Sequence, residues 1–78
     1  MTERKYKPEN YDIYVAEFME KVYQDAEKWK KSGSISDKID LENDMLALRT
    51  SIKVIASEGE ISCRQRDDML GYFLGFLA

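Results

Sequence analysis

The sequence predicts an all-α fold, in which a long antiparallel helical hairpin is followed by a short C-terminal third helix. Apolar residues recur every three or four positions through most of the 78 residues, which is the period of one helix face. Gly33 and Gly59 interrupt the two long periodic stretches, at places where helices end. The only proline, Pro8, precedes the first stretch. We therefore expect a flexible polar tail over residues 1–9 and one helical domain over residues 10–78.

The first helix is predicted over residues 10–31. Asn10 is a good N-terminal cap, and lysines in the last turn complement the helix dipole. Apolar side chains fill one half of a helical wheel: Tyr11, Tyr14, Val15, Phe18, Met19, Val22, Tyr23, Ala26 and Trp29. Asp25 lies at the edge of this arc. It is predicted to be either a rim residue or a polar group that gives an interface its specificity.

The second helix is predicted over residues 36–58, with Ser34 and Ser36 as alternative caps. Its apolar residues follow one another at steps of four and three, which is the seam of coiled-coil-like packing against another helix: Leu41, Met45, Leu48, Ile52 and Ile55. Ile39 and Leu46 lie together on a different face. We expect them to meet either the third helix or another chain.

The third helix is predicted over residues 63–77, opened by Ser62 and Gln65 in capping-box spacing. Its apolar side chains spread over more than half of the wheel: Cys63, Met69, Leu70, Tyr72, Phe73, Leu74, Phe76 and Leu77. A helix this apolar must be covered on two sides, and a hairpin covers one. We therefore expect dimerisation to complete the three-helix bundle, and two-fold dimers are the commonest oligomers. The alternative is a monomer with aromatic edges at its surface.

Composition argues against catalysis. The chain has no histidine and one cysteine, which rules out a Ser-His-Asp triad and an internal disulfide and argues against a structural zinc site within one copy. It also has no glycine-rich phosphate loop. Asp37, Asp40 and Asp44 share one broad helix face, but they match no EF-hand pattern. We expect no enzyme activity, no metal and no cofactor.

The net charge of −3 gives the chain no electrostatic attraction to nucleic acid or to an anionic membrane. The first residues contain no apolar signal region, and the apolar last ten residues are fewer than the roughly 20 that span a bilayer. We therefore expect a cytoplasmic protein that does not bind membranes.

The predicted function is a small, self-associating protein–protein interaction module, since aromatic and methionine side chains are favoured at interfaces. The predicted partner-binding residues are Tyr14, Met19, Tyr23, Ile39, Leu46, Tyr72, Phe73, Phe76 and Leu77. Such a module is either a regulator or inhibitor of a larger complex, of the kind that phages and mobile elements encode, or a purely structural homo-oligomeric subunit.

A nucleic-acid-binding alternative rests on the start of the third helix. Arg64, Gln65 and Arg66 stand where the recognition helix of a helix-turn-helix protein presents its base-reading side chains. Asp67 and Asp68 follow directly and would repel phosphates. Nucleic acid is therefore the less favoured partner.

Overall fold

The computed structural model describes residues 4–77, and these form an all-α three-helix bundle with no strand among them. The predicted fold class is confirmed. Three α-helices lie between two short 3-10 turns: Pro8–Asn10, α1 Ile13–Ser32, α2 Ile35–Ser57, α3 Cys63–Leu74 and Gly75–Leu77. The molecule measures 38 × 22 × 21 Å. Residues 1–3, which belong to the predicted tail, and Ala78 lie outside the described residues.

Helix α1 begins three residues later than predicted, because Asp12 and not Asn10 caps it. The Asp12 carboxylate accepts a hydrogen bond from the Tyr14 amide at 3.0 Å, whereas Asn10 belongs to the preceding 3-10 turn. At the other end Gly33 takes the left-handed conformation, with φ of 64°. Its amide donates to the Trp29 carbonyl at 2.8 Å, which ends the helix as the sequence predicts.

The other two helices begin at serine caps. The Ser34 hydroxyl accepts from the Asp37 amide at 3.2 Å, so α2 starts one residue before the predicted position. The Ser62 hydroxyl accepts from the Gln65 amide at 3.1 Å, which confirms the predicted start of α3. The last predicted turn of α3 is a 3-10 turn instead of α-helix.

The core lies between the three helices. All five seam residues of α2 are buried, as is Ser51, whose hydroxyl donates to the Ala47 carbonyl at 3.1 Å. Side chains from α1, α3 and the loop before α3 complete the core: Val15, Met19, Val22, Tyr23, Ile61, Met69 and Phe73. The heptad-like steps of α2 therefore predict its buried face correctly.

Residues 4–10, called the N-terminal arm below, overlap the predicted polar tail and lie against the bundle. Tyr6 packs against the core, with its ring centroid 5.4 Å from that of Tyr72 and 6.1 Å from that of Phe73. The Tyr23 hydroxyl donates to the Tyr6 carbonyl at 2.5 Å. An aromatic side chain in a charged segment gains enough from burial to hold that segment on the bundle.

Polar contacts fix both sides of the arm. The Arg4 guanidinium binds both carboxylate oxygens of Glu20 on α1, at 2.7 and 3.3 Å. On the α3 side the Lys5 amine lies 2.9 Å from an Asp68 oxygen, which also accepts from the Tyr6 hydroxyl. The arm thus covers the flank of α3 that the hairpin leaves open. The second cover required by this apolar helix is intramolecular, so α3 by itself gives no reason for dimerisation.

Tyr6→Ala is expected to lower the free energy of unfolding by about 2 kcal/mol, because it removes a half-buried ring with two aromatic neighbours. Urea denaturation followed by circular dichroism measures this loss. Tyr6→Phe is the matched control, since it keeps the ring and removes only the hydroxyl bound to Asp68. We expect Tyr6→Phe to cost less than about 1 kcal/mol, and equal losses in the two variants would contradict burial of the ring as the cause.

Candidate interaction surface

Three of the predicted partner-binding residues belong to the core. Met19 is fully buried, and Tyr23 and Phe73 are 3% and 1% exposed. The sequence indicates that they lie on apolar arcs, but their own chain covers those arcs. They are therefore removed from the candidate surface.

The predicted terminal segment is also mostly covered. Tyr72, Phe76 and Leu77 are half-buried and pack against the core. Five rings form one cluster, called the aromatic cluster below: Tyr6, Tyr23, Tyr72, Phe73 and Phe76. Its neighbouring centroids lie 5.1 to 6.1 Å apart, in the tilted and edge-to-face arrangements that aromatic rings prefer. The cluster holds the N-terminal arm against α1 and α3, so these rings are left out of the candidate surface.

Three exposed aliphatic side chains lie on α2, on the side facing away from the core. Ile35, Ile39 and Leu46 are 77%, 50% and 59% exposed. At about 100° per residue they fall within about 40° of one another and roughly 140° from the seam around Leu41 and Leu48. Exposed aliphatic side chains aligned along one helix face indicate a contact surface. Two of the three, Ile39 and Leu46, are residues that the sequence predicts.

Charged residues complete this strip, which we call the α2 outer face: Ile35, Ile39, Glu42, Leu46, Arg49 and Lys53. The three charged side chains are exposed. Within residues 4–77 neither Glu42 nor Arg49 takes part in an ion pair. The face thus combines three aliphatic side chains with charges of both signs that have no partner inside the described chain.

Tyr14, the remaining predicted residue, is 51% exposed in the first turn of α1, beside Ile13 at 72%. Because the hairpin is antiparallel, this turn lies at the end of the molecule away from Ile35. Tyr14 therefore does not extend the apolar part of the α2 outer face. Leu74 is exposed by 52% near the end of α3 and stands apart from other exposed aliphatic residues in the sequence.

A groove of about 570 Å³ lies between the end of α1, the arm and the last 3-10 turn. Two aromatic rings of the groove already form cation–π contacts with basic residues of the same chain. The Arg4 guanidinium lies 4.6 Å from the Tyr23 centroid, and the Lys38 amine lies 5.6 Å from the Trp29 centroid. Glu27 and Lys30, of opposite charge, also line the groove. This balance favours neither an anionic nor a cationic ligand.

The main electrostatic feature of the bundle is an acidic contact between α1 and α2. Asp25 is half-buried, and its Oδ2 atom is buried with no hydrogen-bond partner within residues 4–77. The pKa of Asp25 is raised to about 7, and burial of the carboxyl group is the largest cause. The neighbouring carboxylates of Asp44 and Asp40 raise this pKa further, whereas the Lys28 ammonium lowers it. Asp25 is therefore protonated more readily than an ordinary aspartate. Among the described residues no acidic cluster could hold a metal ion.

The nucleic-acid candidates lie where the sequence places them, in the first turn of α3. Arg64 and Gln65 are exposed, whereas the Arg66 guanidinium lies 3.0 Å from the Asp67 carboxylate. Asp68 is bound to Lys5 and Tyr6 of the arm. One of the three candidate side chains is thus paired with a neighbouring acid.

Gly71 and Gly75 lie four residues apart, a spacing that can let another helix pack closely against this strip of the helix surface. A Cβ atom added at either position meets no atom within 4 Å. No helix of the described chain therefore approaches this strip closely.

The fold and its surface define a small three-helix bundle with one apolar helix face exposed. No protein-family model, curated protein sequence or solved structure matches the chain. None of the helices within residues 4–77 has the length and apolar character that crossing a bilayer requires.

Of the α2 outer face, only Ile39 and Leu46 are predicted from the sequence, and Ile35 is the aliphatic residue that is missed. It follows the Ser34 cap directly, so it reads as part of the connection SGSIS. The available signal is its spacing of four residues from Ile39 and eleven from Leu46, which places the three on one helical stripe.

Proposed function

We propose that the chain is a non-catalytic protein-interaction module that self-associates through the α2 outer face. The observation that carries this proposal is the alignment of Ile35, Ile39 and Leu46, each at least half exposed, on the side of α2 opposite the core. Removing such side chains from water is the main driving force of protein association. The cytoplasm is the proposed location, which the exposed free thiol of Cys63 supports, since such thiols suit a reducing compartment.

Sedimentation velocity over about 1 to 500 μM, the range that covers weak and moderate dimers, tests the proposal. The wild-type chain is expected to move from monomer to dimer. Leu46→Asp should weaken this association at least tenfold, because a carboxylate at an interface needs a partner or water. Ile13→Asp is the control, since it changes an isoleucine that lies outside the face and is 72% exposed, against 59% for Leu46. Equal weakening by both variants would contradict the assignment of the surface.

Two biological roles fit this module. A regulator or inhibitor of a larger complex would bind one partner in fixed stoichiometry, and a structural homo-oligomeric subunit would bind only itself. Affinity capture with wild-type and Leu46→Asp chains separates the two roles. A regulator that uses the α2 outer face should retain a single partner only with the wild-type chain, whereas a structural subunit should recover only its own copies.

Nucleic-acid binding receives less support. It relies on Arg64, Gln65 and Arg66, and Arg66 is paired with Asp67 in a chain whose net charge is −3. Phosphate contacts would need unpaired cations on one face. A duplex retarded at low salt and released by Arg64→Ala would favour this alternative.

A further inference from the structure

We infer that two copies of the chain pair antiparallel along α2, with a two-fold axis close to Leu46, so that Glu42 of each copy faces Arg49 of the other. The inference rests on the proposed function, because it specifies the partner and the register at the α2 outer face. Its basis is the order of side chains along that face.

The face is asymmetric along the helix. Ile35 and Ile39 occupy its beginning, Glu42 and Leu46 its middle, and Arg49 and Lys53 its end. A parallel pair would place each of these positions against the same position of the second copy, so that Glu42 would meet Glu42 and Arg49 would meet Arg49. Like charges brought together at an interface oppose association. An antiparallel pair instead places unlike residues opposite each other.

The spacing around Leu46 selects the register. Glu42 lies four residues before Leu46 and Arg49 three residues after it, roughly 6 and 4.5 Å along the helix axis. With the two-fold axis near Leu46, Glu42 of one copy and Arg49 of the second copy therefore lie at nearly the same height along the helix axes. Leu46 of one copy then packs against Leu46 of the other. Ile39 of each copy lies at the height of the aliphatic stem of Lys53 of the other copy.

The angular positions agree with this register. At 100° per residue, Glu42 and Arg49 lie on the same side of Leu46, about 40° and 60° away from it. A two-fold axis perpendicular to both helices brings the same sides of the two faces together. Glu42 and Arg49 therefore meet across the axis twice, once on each half of the interface.

Neither charged residue can satisfy the other within one copy. Glu42 and Arg49 are seven residues apart on one helix, roughly 10.5 Å along its axis, and neither forms an ion pair within the described chain. Their charges are complementary only between copies. A second copy of this chain is therefore the occupant that fits both the aliphatic residues and the charges.

Charge exchange tests the register. Glu42→Arg and Arg49→Glu should each weaken dimerisation about tenfold or more, because each places like charges opposite one another. The double variant carrying both changes should return to within about threefold of the wild-type affinity, since the pairs are then restored in reverse. Sedimentation velocity measures all four chains, and circular dichroism confirms that these exposed substitutions leave the helices intact.

Disulfide trapping supplies the second measurement, with Cys63→Ser present in both chains. Leu46→Cys should form an intermolecular disulfide under mild oxidation, because residue 46 lies at the axis. Ile35→Cys should not, since the two copies of residue 35 would be roughly 33 Å apart and a disulfide needs Cα atoms within about 7 Å. A parallel pair would trap both variants.

The outcomes separate the two proposals. A wild-type chain that stays monomeric overturns both the proposed function and this register. Association that depends on Leu46, but is not recovered in the double charge variant or is trapped equally well through Ile35→Cys, overturns the antiparallel register alone. Recovery in the double variant together with trapping at residue 46 only is the expected result.

Discussion

Phe73→Ala is expected to leave the chain largely unfolded at 37 °C. Phe73 is 1% exposed and lies at the centre of the aromatic cluster, with four neighbouring rings. Replacing a buried phenylalanine by alanine costs about 3–5 kcal/mol. A domain of this size has a total stability of only about 5 kcal/mol, at the lower end for natural proteins.

Thermal unfolding followed by circular dichroism measures this effect. Leu74→Ala is the matched control, because it removes an aliphatic side chain at the adjacent position, where Leu74 is 52% exposed. We expect the control to lose less than about 1 kcal/mol. Equal losses in the two variants would show that the aromatic cluster does not hold α3 against the hairpin.

The second large effect is a dependence of stability on pH that comes from Asp25. Its pKa of about 7 lies above the value near 3.9 of an aspartate in an unfolded chain. Between these two values the folded state therefore binds more protons than the unfolded state, so the free energy of unfolding falls as the pH rises from about 4 to about 7. The stabilisation is fully present below the unfolded pKa and is lost as the folded pKa is passed.

Asp25→Asn should remove this dependence. The asparagine stays neutral beside Asp44 and Asp40 on α2, so at pH 8 the variant should be more stable than the wild type by about 1–2 kcal/mol, a value reduced for the partial exposure of the carboxyl. At pH 4 the two chains should be nearly equal. Urea denaturation at both pH values measures the difference.

Glu17→Gln is the control for general charge effects, since Glu17 is an exposed acid on the same helix. It should change stability by less than about 0.5 kcal/mol at either pH. A pH dependence that persists unchanged in Asp25→Asn would assign the titration to another group.

Local patterns explain what could be predicted from the sequence. The seam from Leu41 to Ile55 and the caps at Ser34 and Ser62 depend on residues within one or two helical turns, so periodicity and capping chemistry identify them. The same periodicity places Ile39 and Leu46 away from the seam, but it leaves open whether the third helix or another chain covers them. In the structure α3 does not cover them, and both are at least half exposed.

Contacts between distant parts of the chain explain the errors. A helical wheel shows that Tyr23 and Phe73 are apolar positions, but it does not show whether another segment of the same chain or a second chain covers them. The covering residue, Tyr6, lies among charged residues with no period, and its hydrogen-bond partner Asp68 is 62 positions away. No local pattern connects the two.

The pairing of the arm with α3 also determines the order in which this chain can fold during its synthesis. The Lys5 amide and the Tyr72 hydroxyl, 3.2 Å apart, are separated by 67 positions, whereas α1 and α2 are joined by a short turn. The ribosome thus releases the arm before its docking site on α3. The hairpin can form before α3 is synthesised, but closure of the aromatic cluster must wait until α3 has left the exit tunnel.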